Sequence, residues 1–240
     1  NFPLTYNSGS VKNLDQGDIV VVPFGKTETI GVVWDKIHPA NKIIKLRNIK
    51  KKGINFSINK NLIKFINLFS TYNLVSKGMV LKMSLTNDKN FQKFQKDENF
   101  IKENLNKKKF TLNSEQKRSL NDLRKFGKNF NVSVLQGTTG SGKTLVYFKR
   151  IKEIIDKGKQ SLVLLPEIFL TNQFKGRFIE FFGFEPEVWH SKITPKNKRI
   201  IWQGIINNKL KLVIGARSSL LLPFKKLGLI IVDEEHDPSY

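Results

Sequence analysis

Residues Gly137-Thr138-Thr139-Gly140-Ser141-Gly142-Lys143-Thr144 fit the pattern G-x-x-x-x-G-K-[ST]. Such a loop needs a strand that stops and a helix that starts. The glycines let the backbone wrap a phosphate with its N–H groups, and the helix adds its positive N-terminal end. The second part of the chain is therefore expected to be α/β. Val132 to Leu135 reads as a short buried strand leading into the loop, and a helix is expected from near Gly142 to about Asp156. Lys143 is placed to reach the β- and γ-phosphates of ATP, and the Thr144 hydroxyl to ligate Mg²⁺.

The residues after the loop keep alternating between strand and helix patterns. Ser161 to Leu165, Leu212 to Gly215 and Leu229 to Val232 are apolar runs, while 168–182 and Pro195 to Asn207 read as helices. Alternation of this kind predicts a parallel sheet covered by helices. The last strand delivers Asp233 and Glu234 to its C-terminal edge, where open α/β sheets bind ligands. Asp233 is the candidate Mg²⁺ ligand and Glu234 the group that orients and deprotonates water. The expected fold is an α/β, RecA-like P-loop motor lobe over 111–240, preceded by a small β-rich domain over 1–88. In that domain Asp18 to Val22 and Thr29 to Trp34 predict a hairpin, Ile43 to Ile49 a further strand, and 61–69 a helix. Residues 89–110, rich in Lys, Gln, Asn and Glu, read as a basic linker.

Charge narrows the partners. The chain carries 42 Lys+Arg against 20 Asp+Glu, a formal net charge of +22. That excess favours a polyanion, nucleic acid above all, although a lysine-rich codon bias gives part of it. With no cysteine, thiol chemistry and cysteine-based zinc sites are excluded within these residues. His38, His190 and His236 are too scattered for a histidine metal cage. No stretch approaches the about 18 apolar residues of a membrane span, so no membrane partner is expected. The start, Asn1-Phe2-Pro3-Leu4, is not a signal peptide and lacks Met, so a trimmed or partial chain in the cell interior is expected.

The Asp233-Glu234-Glu235-His236 signature resembles motif II of superfamily 2 helicases. Further segments resemble one family within that class: Leu164-Leu165-Pro166-Glu167-Ile168-Phe169-Leu170-Thr171, Trp189-His190-Ser191, Ile214-Gly215-Ala216-Arg217-Ser218-Ser219-Leu220, Pro223-Phe224, and the run from Asp233 through His236, Asp237 and Pro238 to Tyr240. Together with Val22-Pro23-Phe24-Gly25 and Ile30 to Val33, they are similar to the PriA family of replication-restart helicases. The resemblance implies an ATP-dependent 3′→5′ DNA helicase that recognises stalled or forked DNA and assembles a primosome. It implies forked or single-stranded DNA, single-stranded DNA-binding protein and primosome-loading proteins as partners. It implies a cytoplasmic, nucleoid-associated place in a bacterium, and zinc only in a C-terminal part missing here.

Residue roles follow from the same resemblance. Gln116 would read adenine, or else serve only a helix cap made by Asn113 or Ser114. His236 would couple the ATP site to a neighbouring lobe, or hydrogen-bond locally. Thr171 would lie on the face that tracks the DNA backbone, and Arg217 and Ser218 would contact a DNA phosphate or brace that loop, Arg217 otherwise pairing with a surface acid. Glu167 and His190 have ordinary structural roles as equal alternatives. Gly25 and Lys45 would line a pocket for a DNA 3′ end, or simply be a turn and a surface. Thr5 stands where the family commonly has an acid. Residues 89–110 are too few for the family's winged helix, which is expected to be absent. With the second motor lobe and its arginine finger also missing, the 240-residue chain is expected to bind nucleotide and DNA but hydrolyse poorly. Competing readings are another superfamily 2 translocase, a fork-binding module without turnover and, least favoured by the charge, a small-molecule kinase.

Overall fold

The computed structural model describes residues 3–35, 46–85, 108–125, 130–138, 140–166, 171–190 and 192–237. They fall into two compact units. The first comprises Asn1–Glu98, Lys198–Ile206 and Leu220–Pro223, and the second Asn99–Asn197, Asn207–Ser219 and Phe224–Tyr240.

In the first unit β1 (Asp18–Phe24) and β2 (Thr27–Val32) form an antiparallel hairpin, with Phe24 opposite Thr27. The tight loop between them puts Gly25 at φ +61°, the backbone sign that its first position requires. The third strand is β3 (Lys51–Ser57), which pairs with β1 on its other side. It starts later than the run at Ile43 to Ile49 implied. Of the described part of that run, Asn48 makes only an isolated bridge to Asn7, and Ile49 is buried beside Val20 and Val22. Apolarity there serves packing rather than pairing. Two helices follow, α1 (Lys60–Tyr72) and α2 (Lys77–Ser84), capped by the Asn59 and Ser76 side chains. Leu62, Ile63 and Ile66 recur at helical spacing on α1 and pack with Ile58, Val80 and Leu221. The indole of Trp202, almost fully buried, donates to the Ser84 carbonyl at 2.9 Å.

The second unit carries α3 (Ser114–Lys125), α4 (Lys143–Asp156), β4 (Gln160–Leu164), α5 (Asn172–Phe182) and β5 (Glu187–Trp189). After these come α6 (Pro195–Ile206, continuing into the first unit), β6 (Leu212–Gly215), a 3-10 turn (Arg217–Leu221) and β7 (Leu227–Val232). The four strands form a parallel sheet in the order β5-β6-β4-β7. One hydrophobic cluster joins α4 to α5 over the sheet. Phe148 packs against Phe178, Phe181 and Phe182, with ring centroids 5.7, 5.4 and 5.1 Å away. That packing fixes where α4 begins, and hence where the phosphate loop ends.

One expectation fails here. Residues 132–135 form no strand: Val132 and Val134 are 74% and 86% exposed. A strand exists only with a neighbour to hydrogen-bond, and this segment joins neither edge of the described sheet. β7, the edge nearest in register to the acidic turn, also shows an open pattern, with Ile230 and Val232 43% and 47% exposed.

Gln160 pins β4. Its buried amide donates to Leu210 O at 2.8 Å and accepts from Lys226 N at 2.9 Å, tying both flanking segments to one strand end. Replacing it with leucine leaves Leu210 O, which is buried, and Lys226 N without this partner. Gln160→Leu is expected to cost about 2–4 kcal/mol, read as a lowered urea midpoint.

Candidate nucleotide site and DNA-contact residues

The loop from Gly137 to Gly142 closes on itself. Ser141 N donates to Thr138 O at 3.1 Å, and a Cβ on Gly137 would sit 2.7 Å from Ser141 Oγ. Gly140 and Gly142 both have φ +83°. Thr139 lies outside the described residues. No side chain caps α4, whose N-cap is Gly142, so the helix presents bare N–H groups to the loop. Lys143 Nζ turns back to donate to Gly137 O at 2.6 Å and lies 3.5 Å from Thr138 O.

Gln116 makes the cap and also a bond to the phosphate loop. Asn113 and Gln116 form a reciprocal cap on α3. Gln116 N donates to Asn113 Oδ1 at 2.8 Å, and Asn113 N donates to Gln116 Oε1 at 3.1 Å. The same side chain crosses to the phosphate loop, where Nε2 donates to Ser141 O at 3.1 Å. A Cβ on Gly142 would lie 2.3 Å from that nitrogen, so the approach requires glycine. α3 is braced on α4 by Arg124, whose Nε donates to Glu153 Oε1 at 2.9 Å.

At the other end of the site, β7 delivers Asp233 and Glu234. Asp233 N continues the ladder to Leu164 O at 3.0 Å. Its carboxylate is gripped on both oxygens: Oδ2 accepts from the Tyr147 hydroxyl at 2.7 Å, and Oδ1 from Glu234 N at 3.2 Å. Burial pushes the Tyr147 phenol far above its usual range, and the Asp233 charge beside it pushes the same way. Tyr147 went unnoticed in the sequence, because a Tyr in an apolar helix face reads as core. Glu234 sits at φ +53°, a left-handed conformation that costs a side chain of this size energy. Its Oε2 is 3.6 Å from Nε2 of His236, whose side chain is largely exposed.

The remaining motif segments gather along the same sheet edge. Leu165 N donates to Gly215 O and Ala216 N to Trp189 O, at 3.1 and 3.2 Å, so the ends of β4, β5 and β6 are stitched together. A shallow cleft there is lined by Leu165, Trp189, His190, Lys192 and Ala216. His190 Nδ1 accepts from Lys192 N at 3.2 Å. Arg217 and Ser218, next in sequence, are exposed. Thr171 caps α5, accepting from Phe174 N at 3.2 Å. Glu167 lies outside the described residues.

In the first unit the Pro23-Phe24-Gly25 turn is held from two sides. The Tyr6 hydroxyl donates to Pro23 O at 2.9 Å, and Arg47 Nη1 donates to Gly25 O at 2.9 Å. Lys45, the expected basic residue, lies outside the described residues. Arg47, close by in sequence, is a basic group bonded to the turn. The strained Glu234 gives a direct test. Glu234→Gly relieves the left-handed backbone and is expected to raise the thermal midpoint by about 2–4 °C in a calorimetric scan.

Residues 109–240 match the family described as type III restriction enzyme, res subunit, and residues 1–86 match the 3′ DNA-binding domain (3′BD) of PriA. Replication restart protein PriA of Rickettsia conorii is 42% identical over 240 residues, covering 100% of this chain and 36% of the relative. The PriA of Helicobacter pylori strain J99 is 35% identical over 239 residues, covering 99% of this chain and 36% of its own length. That of Bacillus subtilis is 46% identical over 109 residues, 45% of this chain and 14% of the relative. The chain thus spans about a third of the length of the curated relatives it matches end to end. With residues 1–86 matching the 3′ DNA-binding domain of PriA and residues 109–240 carrying the phosphate loop and the acidic turn, the chain belongs to the type III restriction enzyme res subunit family and is similar along its whole length to PriA replication restart proteins.

Proposed function

We propose that this chain is the nucleotide- and DNA-binding front part of an ATP-driven 3′→5′ DNA helicase that recognises stalled or forked DNA and restarts replication by primosome assembly. The observation that carries this reading is the bond from Tyr147, on the helix that follows the phosphate loop, to Asp233 at the end of β7. It brings the two halves of a phosphoryl-transfer site to one place.

The roles follow from chemistry. Lys143 exchanges its carbonyl partners for the β- and γ-phosphates, while the N–H groups of 137–144 wrap them. Thr144 and Asp233 would hold Mg²⁺. A hydroxyl and a carboxylate are the oxygen donors a hard cation takes, and both bear on the Tyr147 hydroxyl. When bound there, the ion neutralises charge on the phosphates. Glu234 orients the attacking water and accepts its proton, and His236 beside it passes the state of the site to a neighbouring lobe. Gln116 keeps one N–H and one lone pair beyond its present bonds, enough to read the edge of adenine.

DNA contacts are assigned to Thr171, Arg217 and Ser218 along the sheet edge and to Gly25 and Arg47 at the 3′-end turn, with Lys45 a candidate from the sequence alone. We read 89–110 as a linker with no winged helix in it. The Rickettsia conorii match supports this, because it runs through both regions over 240 residues and so carries the same separation. The family's second motor lobe would supply the charge-donating arginine, worth about 10³-fold or more in rate. Residues 137–144, Asp233 and Glu234 would bind ATP, and fast turnover would need that arginine. Zinc, single-stranded DNA-binding protein and primosome loaders, in the bacterial nucleoid, belong to the whole protein.

Two measurements test the reading. Lys143→Ala is expected to weaken binding of a fluorescent ATP analogue about 10–100-fold, the worth of one charge-assisted contact; unchanged affinity would refute the phosphate-loop assignment. Binding to a fork with a free 3′ end is expected to weaken steeply with salt, with a log–log slope of about −3 or steeper. A flat salt response would remove the backbone contacts from the account.

A further inference from the structure

Tyr147 is the one phenol in a buried apolar cluster whose other buried rings are Phe148, Phe178, Phe181 and Phe182. Its ring is 4% exposed and stands edge-on to Phe148, at 5.2 Å and 81°. A phenylalanine would fill the same space without bringing a hydroxyl into an apolar site, where it is costly unless it finds a partner. The partner here is Asp233 Oδ2 at 2.7 Å. Tyr147 also lies one helical turn beyond Thr144 on α4, so both side chains sit on the same face. With Oδ1 taken by Glu234 N, the carboxylate is oriented at both ends by groups that are themselves fixed.

We propose that Tyr147 is a positioning residue for the divalent cation of this site: its hydroxyl holds Asp233 turned toward Thr144, so that the two oxygens that take up Mg²⁺ are pre-set before nucleotide arrives. The inference rests on the nucleotide reading of 137–144 and 233–234. It differs from a purely structural clamp in one respect. A clamp on the end of β7 affects stability alone, whereas a positioning residue affects how much Mg²⁺ tightens nucleotide binding. Groups that orient a metal ligand from behind cost about 10–100-fold in metal affinity when removed.

The test uses the 240-residue chain, a fluorescent ATP analogue and magnesium chloride, with affinity measured in EDTA and across a Mg²⁺ titration. For Tyr147→Phe, the Mg²⁺ concentration at half-maximal tightening is expected to rise about tenfold. In an Asp233→Asn background the same change is expected to leave the Mg²⁺ midpoint where that background already has it, because Tyr147 acts through that carboxylate. A Mg²⁺ titration of Tyr147→Phe that superimposes on the parent would overturn the proposal. So would an equal shift with and without Asp233. If Tyr147→Phe lowers the melting point, the titration is run at a temperature where circular dichroism shows the variant folded; an unchanged Mg²⁺ midpoint there still overturns the idea. Failure of the underlying reading looks different: the parent chain would then bind no nucleotide in any condition, or Lys143→Ala would bind as tightly as the parent.

Discussion

β4 is hydrogen-bonded on both sides and completely buried, and the site inherits its geometry from that strand. At its start, the Gln160 amide bonds to the segments on either side. At its end, Leu164 O receives Asp233 N, and Leu165 N reaches Gly215 O. A slip of one residue would turn every side chain of β4 to the opposite face. It would also shift Leu164 O, and with it Asp233, away from Tyr147 on α4. A buried polar side chain at a strand end thus keeps the acidic turn in register with the phosphate loop.

The site also stores conformational strain. Gly140 and Gly142 take positive φ at the cost that glycine bears lightly. Glu234 takes it as a residue with a long side chain, and the compensation is visible: its N–H is held by Asp233 Oδ1, and its carbonyl accepts from Asp237 N at 2.9 Å. The turn directs the carboxylates of Asp233 and Glu234 differently although they are adjacent in sequence. One is turned into the sheet edge toward α4, and the other outward toward His236. Adjacent acids with separate tasks need such a turn, since on a continuing strand they would simply alternate faces.

Much of this was legible in the residues. The phosphate loop, α4, β4, β6, β7 and the acidic turn announce themselves by glycine spacing and apolar runs. Val132 to Leu135 shows the limit of such reading: four apolar residues describe a capacity for pairing, and pairing depends on a neighbour that no local pattern specifies. β5 is too short to register as a pattern, and the third strand of the first unit was misplaced because Ile49 is buried without joining a ladder. Tyr147 and Arg47 were missed for a related reason. Their importance lies in a single bond to a residue remote in sequence, Asp233 in one case and Gly25 in the other. The only available signal was chemical, a phenol where a phenyl ring would have packed as well.

Gln116 shows why cap and ligand readings need not compete. A glutamine at the third position of α3 stabilises the helix start by accepting from Asn113 N, which any capping box does. Here the cap also fixes χ angles that aim Nε2 at Ser141 O, so the helix start and the phosphate loop become one rigid piece. A Cβ at 142 would push the Gln116 amide off Ser141 O, so the link survives only beside a glycine. A side chain whose position is already fixed by its own helix loses little further freedom when a base arrives beside it. If Gln116 reads adenine as proposed, its cap has already removed most of the freedom that contact would cost, and the two roles should rise and fall together on substitution.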